Sequence, residues 1–235
     1  MYFRQQNKRK AITFSYDDGV TQDIQLVELL NKYNLKCTFN INSGLLGKRG
    51  ILIRQGKRVS HYRLHPEDLR YVYEGHEVAA HTLHHPHLTK LEDAEIIHEV
   101  EQDRLHLSEL LQYEVVGMAY PGGGINNDDR VAEVIRQNTG IRYARTTTNT
   151  DSFNLQEDLF RFQPNVYHVM EPDRMMALGK QFLELETDKP QVLYIWGHSY
   201  EMDYQPDYWS KLEEFFRLIS NHDDIFYGTN AEILL

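Results

Sequence analysis

The chain has 235 residues, 41% of them hydrophobic, and a formal net charge of −10. That suits one domain over residues 1–235 with a sizeable core, and it excludes a disordered chain. No basic run is longer than Lys8-Arg9-Lys10, no apolar stretch reaches a membrane span, and Cys37 is the single cysteine, which excludes the basic face of a nucleic-acid binder, a membrane helix, a disulfide framework and a multi-cysteine zinc site. The first residues carry no apolar leader, so the expected location is the cytoplasm.

In chain order, Ala11–Phe14 reads as a first strand that ends in the turn chemistry of Asp17-Asp18-Gly19. Thr21 is placed to cap a helix whose apolar positions are Ile24, Val27, Leu29 and Leu30. A second strand covers Cys37–Ile41, where the thiol reads as a small buried hydrophobe. Residues 42–66 read as a long Gly- and Arg-rich excursion, and Pro66 opens a short helix that Gly75 closes. Glu77–Ala80 is a third strand. Thr89-Lys90-Leu91-Glu92 has the form of a capping box, and the longest helix follows it, with Ile96, Ile97, Val100, Leu107, Leu110 and Leu111 as its core side.

Val115–Ala119 is a fourth strand, broken by Pro121-Gly122-Gly123-Gly124. A helix through Val131, Val134 and Ile135 precedes a fifth strand, Arg142–Thr146. Then come a helix over about 172–186, the apolar strand Gln191–Trp196, a long helix over 206–222 and a short strand, Ile225–Tyr227. Strands alternating with helices imply an α/β fold with a parallel sheet covered by helices, of about seven strands. Periodicity allows an open doubly wound sheet or a closed barrel; the motifs fall just past strand C-termini, which in a (β/α) barrel share one face.

Four constellations carry chemistry. Asp17 and Asp18 are adjacent carboxylates at a strand end; a turn can aim both into one pocket, one as a metal ligand and the other as a base, or they form a plain Asp-Gly turn. Histidine is over-supplied at 12, and four fall within seven residues: His81, His84, His85 and His87. His81 and His85 stand four apart, so one helical turn brings both rings to one side. Thr82 occupies the place of a zinc protease's glutamate, so a protease lacks its base. Two imidazoles and a carboxylate make a catalytic type of site with an open position; His84 and His87 read as spectators. Tyr120-Pro121-Gly122 follows a strand, where backbone N–H groups can approach a ligand or simply form a loop. His198, one step beyond a buried strand, is placed as a general acid with Glu201 to orient it, or is a satisfied histidine near the core.

In their order and strand-end placement these motifs resemble the polysaccharide deacetylase (NodB-homology) family of carbohydrate esterases, over about Ile12 to His198. The resemblance implies a distorted (β/α) barrel, often of seven strands, and a metal-dependent deacetylase acting on an N- or O-acetylated carbohydrate. It implies that Asp17 is the general base, that Asp18, His81 and His85 hold a divalent metal, that the Gly122 amide is an oxyanion donor and that His198 is the general acid. Two imidazoles and a carboxylate suit zinc, and also cobalt or nickel. Tyr120, Trp196, Tyr200 and Tyr204 are candidates for a sugar platform, and each is equally a core residue.

The sequence departs from the family in three places. Ala119 stands where the third motif has an arginine, and Arg145 is the candidate to replace it in space. The fourth motif is unclear over 146–153, which leaves Glu201 or Asp151 as partner of His198. Trp196 stands where the family usually has leucine. Two rival readings follow: a metal-independent hydrolase of cyclic imides or ureides on the same superfold, and a non-catalytic carbohydrate-binding relative. Oligomeric state is open.

Overall fold

The computed structural model describes residues 7–235. The strands are β1 (Lys10–Asp17), β2 (Cys37–Ile41), β3 (Arg49–Arg54), β4 (Lys57–Tyr62), β5 (Glu77–Ala80), β6 (Gly117–Ala119), β7 (Tyr143–Arg145), β8 (Val166–Tyr167), β9 (Gln191–Gly197) and β10 (Ile225–Tyr227). The α-helices are α1 (Asp23–Lys32), α2 (Leu69–Val72), α3 (Asp93–Leu111), α4 (Asp129–Asn138), α5 (Pro172–Glu184), α6 (Tyr208–Ile219) and α7 (Asn230–Leu234).

The sheet runs in the order β7-β6-β5-β2-β1-β9-β8, all neighbours parallel. Strands β1, β2 and β9 are buried at every position, as parallel strands covered on both faces must be. Strand β9 lines one edge of β1 from Lys10 to Tyr16; on the other edge β10 pairs with Lys10–Ile12 and β2 with Phe14–Asp17. The path curls. Residues 162–167 touch both of its ends: Phe162 N donates to Ala144 O at 3.0 Å, and β8 pairs with β9. The expected distorted barrel of about seven parallel strands is the architecture observed, half-closed by this one stretch. Phe14 anchors the core with edge-on contacts to Phe215 (6.4 Å) and Phe216 (5.0 Å) of α6. Among the described residues no helix is long and apolar enough to cross a membrane.

Several local expectations are corrected. The excursion over 42–66 contains an antiparallel hairpin, β3–β4, closed by a two-residue turn with Gln55 (φ 51) and Gly56 (φ 76) both left-handed. Thr89 does not open a capping box. Its hydroxyl donates to Ile125 O, while Glu92 and Glu95 form the reciprocal cap of α3. That helix buries Asp103 and Arg104, with Ile97 and Leu110 half-buried. In α1 the N-cap is Gln22 rather than Thr21, and Ile24 is 45% exposed while Leu26 takes the core position. Strand β8 has two residues, too short for periodicity to register. Helix α7 is signalled by the Thr229/Glu232 capping box.

One buried carboxyl makes stability depend on pH. Asp23 accepts from Tyr73 Oη (2.6 Å) and Ser199 Oγ (2.5 Å). Burial pushes its pKa up to about 7, against those hydrogen bonds. The folded chain therefore holds a proton that the unfolded chain releases near pH 4. The stability that Asp23 contributes falls as pH rises through the window from about 4 to about 7, and is flat above it. Asp23→Asn removes this term. Its unfolding free energy relative to the parent should climb across that window, by at most ~1.4 kcal/mol per pH unit. Denaturant titrations at pH 4.5, 6 and 8 check this; a constant difference contradicts it.

Candidate active site

Strand β1 delivers the two aspartates by changing conformation between them. Asp17 is its last residue, and Asp18 takes φ +91, so the alternation of an extended chain is broken and both carboxylates reach one cavity of about 560 Å³. His81, His85, Tyr120, Gly122, Trp196, His198 and Glu201 line the same cavity. It lies past the C-terminal ends of β1, β5, β6 and β9, as the motif positions imply.

Asp18, His81 and His85 present ligand atoms within 4.8 Å of one another. The expected helical turn does not bring the histidines together. Residues 81–87 form a loop in which Thr82 (φ 67) and His85 (φ 62) are left-handed. Side chains with a Cβ adopt that conformation only where surroundings enforce it. The rings lie 4.9 Å apart at 72°. His81 Nδ1 donates to Ala119 O at 2.9 Å; since a carbonyl only accepts, Nε2 keeps its lone pair. Burial lowers the His81 pKa to about 4 and that of His85 in the same direction, so both are neutral. Burial opposes ionisation of Asp18, yet His61, Arg63, His198 and His81 hold it well below the carboxylate range. Asp18 Oδ1 is buried and accepts no hydrogen bond. Arg63 Nη1 lies 3.1 Å from it but donates to the Asp18 backbone carbonyl instead. A buried anionic oxygen without a donor, beside two neutral imidazoles, fits a divalent cation.

Asp17 sits under Arg145. One Nη2 lies 2.5 Å from Oδ1 and 2.6 Å from Oδ2, and Asn40 Nδ2 adds a bond to Oδ1 at 2.8 Å. Both Asp17 and Arg145 are buried. Burial would raise the carboxyl; Arg145, with His81 and His198, outweighs it and lowers the pKa. His198 Nε2 lies 4.0 Å from Asp17 Oδ2, and its Nδ1 faces Glu201 Oε2 at 3.3 Å and Tyr167 Oη at 3.1 Å. Tyr167 also donates to Glu201. Burial opposes a charge on His198, but Glu201 first, then Asp18 and Asp17, raise its pKa to about 9.

The structure thus brings together Asp17, Asp18, His81, His85, Arg145, His198 and Glu201. Asp151 is not near His198; it is 97% exposed and pairs with Arg174 at 2.5 Å. Pro121 is buried and does not line the cavity, whereas Gly122 (φ +78) does. Tyr120 lines it with its hydroxyl tied to Phe160 O. Trp196 stacks on Tyr167 at 4.2 Å and lies over Arg145. Sequence reasoning missed His61, Arg63, Tyr167 and Asn40. The Gln-Gly turn between alternating residues would have found the hairpin carrying His61, but no local signal points its face at Asp18.

The family description polysaccharide deacetylase matches residues 4–144. Over 132 residues the chain is 28% identical to peptidoglycan-N-acetylglucosamine deacetylase PgdA of Listeria monocytogenes, covering 55% of this chain and 24% of that relative. The chain therefore spans about a quarter of that protein's length. Two solved structures share the fold. A Mycobacterium smegmatis protein described as a polysaccharide deacetylase superposes with TM-score 0.64 at 16% identity, covering 97% of this chain and 89% of that one. Puue allantoinase does so with TM-score 0.66 at 12% identity and the same coverage.

Proposed function

This chain belongs to the polysaccharide deacetylase family, and from that premise we propose that it hydrolyses N- or O-acetyl groups of a carbohydrate, using a divalent cation held by Asp18, His81 and His85. What supports this is the convergence, in one cavity, of that donor set with a second buried carboxylate and a histidine. The donor set favours it over the metal-independent ureide chemistry of the same superfold. Zinc suits the donors, as do cobalt and nickel. A cation held by these residues would supply Lewis acidity, lowering the pKa of water and polarising an acyl oxygen.

The protein's groups then divide the proton transfers. Asp17, kept ionised by Arg145, takes a proton from the attacking water. The Gly122 N–H is the oxyanion donor, a contribution of ~10²–10³ in rate where it has been removed elsewhere. His198 carries a proton on Nε2 to the departing amine or alcohol, while Glu201 and Tyr167 hold Nδ1. The bond from the acyl carbon to nitrogen or oxygen breaks as His198 protonates the leaving atom; water's oxygen ends in acetate, the proton taken by Asp17 returns to His198 through solvent, and water's other proton leaves with the acid product. Trp196, Tyr200 and Tyr204 offer aromatic surface for the sugar ring.

The test is acetate release from N-acetylated chito-oligosaccharides and O-acetylated xylan, after chelation and after return of zinc, cobalt or nickel. Release that needs a metal is expected. Release that persists without any metal sinks the metal's role. No release with any bound metal sinks the deacetylase.

Arg145 takes the part of the family's third-motif arginine from a different strand. Arg145→Ala leaves Asp17 buried without its cation, so the acid limb of the pH–rate profile should move up and kcat should fall on the order of 10-fold or more. The protein should also lose ~3–5 kcal/mol of stability, typical of removing one partner of a buried ion pair. Arg145→Lys should recover part of both. Near-normal activity with an unshifted limb in Arg145→Ala would remove it from the site.

A further inference from the structure

We infer that the β3–β4 hairpin selects an anionic substrate: a carboxylate or phosphate carried by the acetylated saccharide binds Arg54. This rests on the deacetylase reading and adds the class of sugar to it.

Residues 48–63 hold Lys48, Arg49, Arg54, Lys57, Arg58 and Arg63 and no acidic residue, in a chain of net charge −10. Positive charges on an exposed two-stranded ribbon also keep its edges from pairing with other chains. Arg49 and Arg58 fit that purpose, since they share the outward face with Ile51 and Ile53, which are 43% and 59% exposed. Arg54 is on the other face. Alternation puts it with Leu52 and with Val59 and His61 of the partner strand; Val59 is buried against Tyr200 and Tyr204, and Leu52, Arg54 and His61 line the active-site cavity. The hairpin is pinned there by Lys57 Nζ, which donates to Tyr204 O at 2.9 Å.

The charges inside the cavity leave Arg54 over. Asp17 is matched by Arg145 at 2.5 Å, Asp18 by Arg63 at 3.1 Å and Glu201 by His198 at 3.3 Å. Among the described residues Arg54 pairs with no carboxylate. Its exposed guanidinium bonds Ile53 O at 3.3 Å and, at the rim of the cavity, acts against the upward shift of the Tyr200 pKa. A planar fork of donors beside Tyr200 and Tyr204 is suited to a carboxylate or phosphate projecting from a sugar ring that lies on those aromatics. The cavity of about 560 Å³ falls within the ~300–1,000 Å³ typical of small-ligand sites.

The experiment uses the metal-loaded protein and three N-acetylated disaccharides that differ in one substituent: neutral, carboxylate-bearing and phosphate-bearing. The ratio of kcat/KM, anionic over neutral, should be about 10 at low salt and fall towards 1 at about 0.5 M salt. Arg54→Gln should bring the ratio towards 1, and Arg58→Gln, on the outward face, should leave it as in the parent. The carboxylate and phosphate arms identify which anion is read. A ratio of 1 in the parent, or a ratio unchanged by Arg54→Gln, overturns the inference. If no disaccharide releases acetate, the deacetylase reading has failed. Equilibrium binding of the same three compounds then decides the hairpin's role separately, and equal affinities overturn it.

Discussion

Replacing Asp17 by asparagine is expected to cut kcat for acetate release by ~10²–10⁴, the range associated with a positioned general base, while the protein keeps its metal. Asparagine fills the same space and accepts from Arg145 and Asn40 through one oxygen, but it takes no proton. The metal is expected to stay because Asp18, not Asp17, belongs to the cluster with His81 and His85 that could hold it. The variant should also melt lower, because Arg145 is fully buried and would face a neutral amide. Three measurements separate the possibilities: kcat, metal content per chain and melting temperature. Full activity would remove Asp17 from the chemistry, and loss of metal would make it a ligand. Asp18→Asn is the contrast, expected to lose metal and activity together.

His198→Ala should lower amide hydrolysis by ~10²–10⁴ and hydrolysis of an activated aryl acetate by less than about 10-fold. An amine anion cannot leave without a proton, whereas an aryl oxide can. The same role fixes the sign of the pH dependence. The acid must be protonated, so amide turnover falls as pH rises through the His198 pKa. In the metal-free protein that pKa is about 9, raised against burial by Glu201, Asp18 and Asp17. A bound divalent cation would disfavour the imidazolium, so the alkaline limb of the holoenzyme should lie below about 9. Glu201→Gln removes the carboxylate 3.3 Å from Nδ1 and should move the limb lower still. Profiles of kcat against pH for an N-acetyl sugar and an aryl acetate check this. Equal losses on both substrates, or a limb indifferent to Glu201→Gln, would assign the proton to another group.

The strand-and-helix alternation and the motif residues were legible in the sequence because they rest on local rules. Apolar runs gave Cys37–Ile41 and Glu77–Ala80 with the boundaries the structure has, and each cluster of polar chemistry followed such a run. A parallel sheet gathers its strand C-termini on one side, so Asp17, His81 and His198 had to be neighbours once the strands were placed. The geometry between those neighbours is decided by tertiary structure. His81 and His85 meet through a left-handed loop and not a helical turn, because strand β5 delivers His81 and the fold forces φ at Thr82 and His85. Arg145, the candidate that the missing third-motif arginine pointed to, reaches Asp17 across 128 residues, a pairing fixed by sheet order and beyond any local sequence rule. His61 and Arg63 come to Asp18 on a hairpin whose turn is local but whose docking on Tyr200 and Tyr204 is not. Periodicity determines which residues form elements and face the core. The order in which strands associate, and the burial that follows, determine which charges meet and in what protonation state.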